Sequence, residues 1–196
     1  MDAAAEIEGP ALGCVAGATS SEQRLVARAQ EGSAEAAEAL VRTHWDQAYR
    51  AAFLIVGDRH LAEDIVQESF VRALASLGHF RREQRFAPWL KRIVANRSID
   101  ALRVSAREQR TLDAAGRELA TRAAAEGPQL ISDPELAGAI AALPEEQRMV
   151  VVLRYVLDLG PGHIAKALGI SKGTVGSRLR RGLDAVKSSL EEGKSA

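Results

Sequence analysis

The sequence predicts an all-α protein built as two small helical domains joined by a flexible linker. Apolar residues recur at three and four along most of its 196 residues, Ala and Leu outnumber runs of Val, Ile and Thr, and helix-stop signals fall near Gly32, Gly57 and Gly78. The N-terminal 1–20, rich in Ala and Gly and containing Pro10, reads as a flexible tail. Ser20 or Ser21 is placed to cap a short helix, Glu22 to Gln30, stopped near Gly32. From about Ser33 a longer helix turns Ala37, Leu40, Val41, His44, Trp45, Ala48, Tyr49, Ala52 and Phe53 to one side and ends at Gly57-Asp58. A third runs from Arg59 to about Leu77, with Leu61, Ile65, Phe70, Ala73 and Leu74 inward and Gly78 as its stop. A fourth starts near Pro88, suited to a first helical turn, and continues through Trp89, Leu90, Ile93 and Val94 to Leu102. These helices make a first domain, 21–103.

From Val104 to Pro134 the period dissolves into Arg, Glu, Ala, Gly and Ser around Gly127-Pro128 and Asp133-Pro134, the composition of a linker. The period returns at Glu135 to Leu143, and Pro144 opens a helix through Met149, Val152, Leu153 and Val156. A second domain, 135–190, closes with a helix-turn-helix, and 191–196 form a tail. Ile164, Ala165 and Leu168 give the first helix of that motif an apolar face, Gly169 supplies the turn, and Ser171 caps a second helix on which Val175 and Leu179 face inward.

Total charge is zero, 26 basic against 26 acidic residues, so its distribution carries the information. Between Pro161 and Leu183, Lys166, Lys172, Arg178, Arg180 and Arg181 stand with no acid among them, a local charge of +5. A basic helix-turn-helix points to duplex DNA, with Lys172, Thr174, Ser177, Arg178 and Arg181 as candidates for phosphate and base contacts. The alternative is a helical hairpin with a solvated basic face.

Upstream, two oppositely charged stretches follow one another. Glu63, Asp64, Gln67 and Glu68 share one helix face, suited to a basic protein surface or simply to solvent. Between Arg81 and Arg110 nine basic residues face three acids, a charge of +6 that suits a phosphate backbone. Trp89, Asn96 and Arg103 recur there at intervals of seven, with Arg92 and Asp100 beside them. An aromatic ring beside cations and an amide is the chemistry of unpaired bases, which stack on the ring and present an edge to the amide. Spacing leaves Trp89 open between core and base contact, and favours core for Phe80 and Phe86.

Other function classes find little support. His44, His60, His79 and His163 lack metal-ligand spacing, no Gly-rich phosphate loop occurs, and a lone Cys14 allows no internal disulfide, so neither an enzyme nor a metal or other cofactor is expected. No apolar run reaches the roughly 20 residues of a membrane span, and the first positive charge is Arg24, unlike a signal peptide; the expectation is a cytoplasmic protein without direct membrane insertion.

From about Ser21 to Leu190 the arrangement resembles a bacterial extracytoplasmic-function (ECF) sigma factor of the sigma-70 family. The resemblance rests on Ala62-Glu-Asp-Ile-Val-Gln-Glu-Ser-Phe-Val-Arg72, on Pro88-Trp-Leu-Lys-Arg-Ile-Val-Ala-Asn-Arg-Ser-Ile-Asp-Ala-Leu-Arg103, and on Leu143-Pro-Glu-Glu-Gln-Arg148 ahead of Gly173-Thr-Val-Gly-Ser-Arg-Leu179. It implies that Glu63, Asp64, Gln67 and Glu68 dock on the clamp helices of the largest subunit of core RNA polymerase. It implies also that the Phe80 to Arg103 segment, through Trp89, Arg92, Asn96, Arg97 and Arg103, opens the minus-ten element of promoter DNA, with Asn96 near a flipped-out base. The C-terminal domain would read the minus-thirty-five element as duplex, and an anti-sigma factor would be a further partner. Two positions depart from the family pattern: Gly160-Pro161-Gly162-His163 stands where a hydroxyl residue and an acid are usual, and Gly176 replaces a common Lys or Arg. A stand-alone helix-turn-helix regulator is the competing reading, and it gives the acidic and aromatic segments no role.

Overall fold

A computed structural model describes residues 13–80, 85–111 and 133–193, with side chains for 21–80, 85–105, 133 and 135–192. The described residues form eight α-helices and no strand. Arg81 and Arg82, the side chains of Arg107, Arg110 and Cys14, and most of the expected linker lie outside what is described. Among the described residues no helix is long and apolar enough to cross a membrane.

Helix α1 spans Gly13–Gln30. It therefore starts inside the segment expected to be a tail, and Ser20 and Ser21 lie within it rather than capping it; a hydroxyl caps only where the preceding chain is extended. Gly32 takes φ +94°, which only glycine adopts without strain, and Ser33 then caps α2 (Ala34–Val56), its Oγ accepting from Ala36 N at 3.2 Å. Gly57 ends α2 in the left-handed region as expected, and Asp58 caps α3 (Arg59–Ala75) through Leu61 N at 2.8 Å. Gly78 does not stop α3. The helix ends at Ser76 and tightens into a 3-10 turn, Leu77–His79, so no left-handed residue is needed there.

Helix α4 is longer than the sequence suggests, Phe86–Thr111, and carries Pro88 in its first turn, where a missing N–H costs nothing. Residues 104–111, expected in the linker, continue it: Arg, Glu, Gln and Ala are good helix formers even without an apolar stripe. α5 (Pro134–Ala141) begins under an Asp133 cap that accepts from Glu135 N and Leu136 N. α6 (Glu145–Val151) passes into a single π turn, Val152–Val156, instead of the regular helix expected. Arg148 on α6 is half-buried and donates to Ala141 O at 3.2 Å; burial lowers its pKa, and Glu145 opposes that shift. α7 (Pro161–Leu168) starts at Gly160 with no side-chain cap, and Gly169, φ +69°, turns the chain into α8 (Lys172–Gly193), capped by Ser171 Oγ on Thr174 N at 3.0 Å.

Two apolar clusters hold these helices. The first joins α1 to α4 through Leu40, Phe53, Val66, Phe70, Phe86 and Val94, among others; Phe80 and Phe86 are buried in it, as the spacing favours. The second gathers α5 to α8 around Val150, Leu153, Ile164 and Val175, and it takes in Ala51, Leu54 and Ile55 of α2 and Ala95 and Ile99 of α4. The C-terminal helices thus complete their core on the back of the first bundle. α2 is apolar around more of its circumference than a one-sided surface helix, which is what makes the sharing possible. Gln47 Nε2 donates to Val156 O at 2.9 Å across this seam, and Arg103 Nη2 to Ala167 O at 3.2 Å.

Candidate nucleic-acid interface

The acidic face of α3 is where the helical spacing places it. Glu63, Asp64 and Gln67 are exposed, while Ala62, Ile65, Val66 and Ser69 on the other side are buried. Beside Glu63 a groove of about 450 Å³ opens between α2 and α3, lined by Trp45, Tyr49, Arg59 and His60. Glu68 differs from its three neighbours: it is half-buried and turned toward α4, where its carboxylate accepts from Arg72 and from Arg97.

Across α4 the intervals of seven produce one continuous face. Trp89 packs its ring 4.8 Å from Phe80 and 5.8 Å from Phe86, so its inner side closes the core. Its outer side lines a cavity of about 570 Å³ with Arg72, Ser76, His79, Phe80, Ile93, Asn96, Arg97 and Asp100. Trp89 is therefore both core residue and cavity wall. The turn that carries His79 and Phe80 is tied down from α1, because Gln30 Nε2 donates to Leu77 O and Phe80 O, each at 2.9 Å. The cavity offers an aromatic wall, an exposed amide and two guanidiniums, the groups that stack on a base, read its edge and meet its phosphates.

Asn96 also lines a second cavity, of about 510 Å³, at the seam with the C-terminal helices. Arg92, Ala95, Ile99, Asp100 and Arg103 come from α4, His163, Lys166 and Ala167 from α7, and Leu159 from the segment before it. Arg103 pairs with Asp100 at 3.4 Å and caps the carbonyl end of α7, a favourable place for a cation. The minus-ten candidates thus separate: Trp89 and Arg97 face the first cavity, Arg92 and Arg103 the second, and Asn96 both.

In the helix-turn-helix, Ile164, Ala165 and Val175 are buried at the crossing, as their spacing suggests. Lys172 and Arg181 are exposed on α8, together with Gly173 and Gly176. Thr174 and Ser177 are half-buried and hydrogen-bonded locally, to Ser171 Oγ and to Thr174 O. Arg178 is turned back: its guanidinium meets Glu146 of α6 at 2.6 Å and only 20% of the side chain is exposed. Spacing could not separate these five residues, and it gave no sign of Gln30, Arg72 or Glu146, whose partners are distant in the chain or one turn away on a face assigned to other work. Among the described residues no group of three His, Cys, Asp or Glu side chains could hold a metal ion.

Comparison with known proteins matches residues 40–108 to sigma-70 region 2 and residues 134–186 to sigma-70 region 4. The chain is similar to the ECF RNA polymerase sigma factor SigW of Bacillus subtilis, 31% identical over 182 residues that cover 87% of this chain and 97% of SigW. It is 34% identical to the RNA polymerase sigma factor CarQ of Myxococcus xanthus over 84% of this chain and 95% of CarQ. Among solved structures it resembles CnrH, determined in complex with the cytosolic domain of CnrY, with a TM-score of 0.55 and 26% identity over 87% of this chain and 97% of CnrH. A likeness to RpoE of Bartonella quintana, at 19% identity and a TM-score of 0.57 over 79% of this chain and 96% of RpoE, bears on fold alone.

Proposed function

The chain belongs to the ECF class of RNA polymerase sigma factors, and from that premise we propose how its surfaces divide the work of promoter recognition. The observation that carries the reading is the convergence of Phe80, Trp89, Asn96 and Arg97 on one cavity beside an exposed acidic helix face. The acids Glu63 and Asp64, with Gln67, dock on the clamp helices of the polymerase's largest subunit; Glu68 sits at the edge of that surface, with its carboxylate committed to arginines. Trp89, Arg92, Asn96, Arg97 and Arg103 engage the minus-ten element as single strand. Flipping a base from the duplex costs a few kcal/mol, which stacking on Trp89 and hydrogen bonds to Asn96 offset.

The helix-turn-helix reads the minus-thirty-five element. Lys172 and Arg181 are exposed toward phosphates or a guanine edge, Arg181 through the guanidinium nitrogens other than Nε, which donates to Ser177 O at 3.3 Å; Thr174 and Ser177 line the same helix, and Arg178 takes part only on leaving Glu146. Contacts that are weak singly add through effective concentration once both elements are held by one enzyme. Because Arg92, Asn96 and Arg103 lie against α7, full entry of the strand requires the seam to open, and docking on polymerase supplies the force. The work is binding rather than catalysis, it takes place in the cytoplasm, and an anti-sigma factor that holds the seam closed is the matching regulator.

The reading is tested by reconstituting the protein with core polymerase and measuring binding to forked probes, duplex upstream and single-stranded over the minus-ten element. Asn96→Ala is expected to weaken the forked complex while leaving polymerase affinity within about twofold. Sequence-dependent binding to fully duplex DNA by the protein alone would favour a stand-alone regulator instead.

A further inference from the structure

Arg72 lies in the last turn of α3 and lines the cavity formed with Trp89, Asn96 and Phe80. It is held from one side: Nε and Nη2 donate to one oxygen of Glu68 at 3.2 and 2.9 Å, and the other oxygen of Glu68 accepts from Arg97 Nη2. One carboxylate therefore gathers two guanidiniums from different helices at the wall of one cavity and leaves the group net positive. A guanidinium has five N–H donors, and Glu68 engages two of those on Arg72. The Arg72 side chain is 56% exposed, so an anion can reach the rest. Arg97 is less accessible, with 27% of its side chain exposed and its Nε buried without an acceptor.

A nucleotide whose base stacks in this cavity brings a phosphate on either side of its sugar, and those phosphates must lie at the mouth. Among the described residues that line the cavity, Asp100 is the acid placed to oppose them, and Arg72, Arg97 and His79 face them. An exposed ion pair one turn apart on a helix does little for stability by itself, so the Arg72–Glu68 contact is weak as a structural device and well suited to orienting a fork-shaped donor.

We infer that Arg72 contacts a backbone phosphate of the unpaired strand whose base enters the cavity, and that Glu68 is a positioning residue that holds Arg72 and Arg97 in place rather than a docking contact. This rests on the promoter-opening reading above.

The test measures binding of the reconstituted holoenzyme to a fluorescent single-stranded oligonucleotide bearing the minus-ten sequence, across a series of salt concentrations. Each phosphate contact with a single strand contributes about 0.7 to the slope of log affinity against log salt, so Arg72→Met is expected to flatten the slope by about that amount and to lower affinity about tenfold at low salt. Arg72→Gln, also uncharged, is expected to do the same, whereas Arg72→Lys should keep the slope. Affinity for core polymerase should not change in any of them. An unchanged slope in both uncharged variants, or a loss of polymerase affinity matching the loss on the oligonucleotide, would overturn the assignment. Failure of the wild-type holoenzyme to prefer the minus-ten sequence would sink the promoter-opening reading instead.

Discussion

Asn96 is the residue on which the two cavities of α4 meet, and its exposure on a helix otherwise buried along its back leaves its amide free for a base edge. Replacing it with Ala removes that hydrogen-bonding group and little else, so we expect promoter opening to fall about tenfold, the order of one good base contact; the check is the rate of open-complex formation. The acids of α3 make the complementary case. Glu63→Lys with Asp64→Lys should weaken polymerase binding by tenfold or more while the thermal unfolding midpoint stays put, because neither side chain has a buried partner; unchanged polymerase affinity would remove the docking role. Both helix faces were legible because a helix puts residues spaced by three, four and seven on one side. Arg178 was not, since its partner Glu146 lies on another helix and spacing carries no information about which cation turns inward.

At the scale of the elements, the turn chemistry was legible wherever it depended on one residue's backbone or hydroxyl. Gly57, Gly169 and Ser171 act as their positions suggest. The boundaries that depend on what precedes or follows were not: Ser20 and Ser21 fall inside α1, Gly78 sits in a 3-10 turn, and α4 runs on past Leu102. Three substitutions separate these effects. Ser171→Ala should cost about 1 kcal/mol by uncapping α8. At Gly176 an added Cβ meets nothing, so Gly176→Ala should stabilise the protein by up to about 1 kcal/mol. Gly182 is the opposite case: a Cβ there would sit 2.8 Å from Val151 Cγ2, inside the α6–α8 contact, and Gly182→Ala should destabilise by about 1–3 kcal/mol. Urea unfolding of the three variants reads all of these signs.

For the whole molecule, the all-α class and the order of its parts follow from composition and period, but the seam does not. Ala51, Leu54, Ile55, Ala95 and Ile99 read simply as apolar helix positions, and nothing local says that they serve a second cluster supplied by helices beyond residue 133. That seam places α7 beside Arg92, Asn96 and Arg103, so fluorophores at Asp46 and Tyr155, exposed residues on its two sides, should move apart when core polymerase is added; a constant separation would mean that the strand enters without the seam opening. The central claim is promoter-specific initiation, and run-off transcription over a library of upstream sequences, using core RNA polymerase with and without this protein, tests it most directly. The account predicts transcripts that depend on the protein and share a two-part upstream motif; no initiation, with duplex binding by the protein alone, would contradict it.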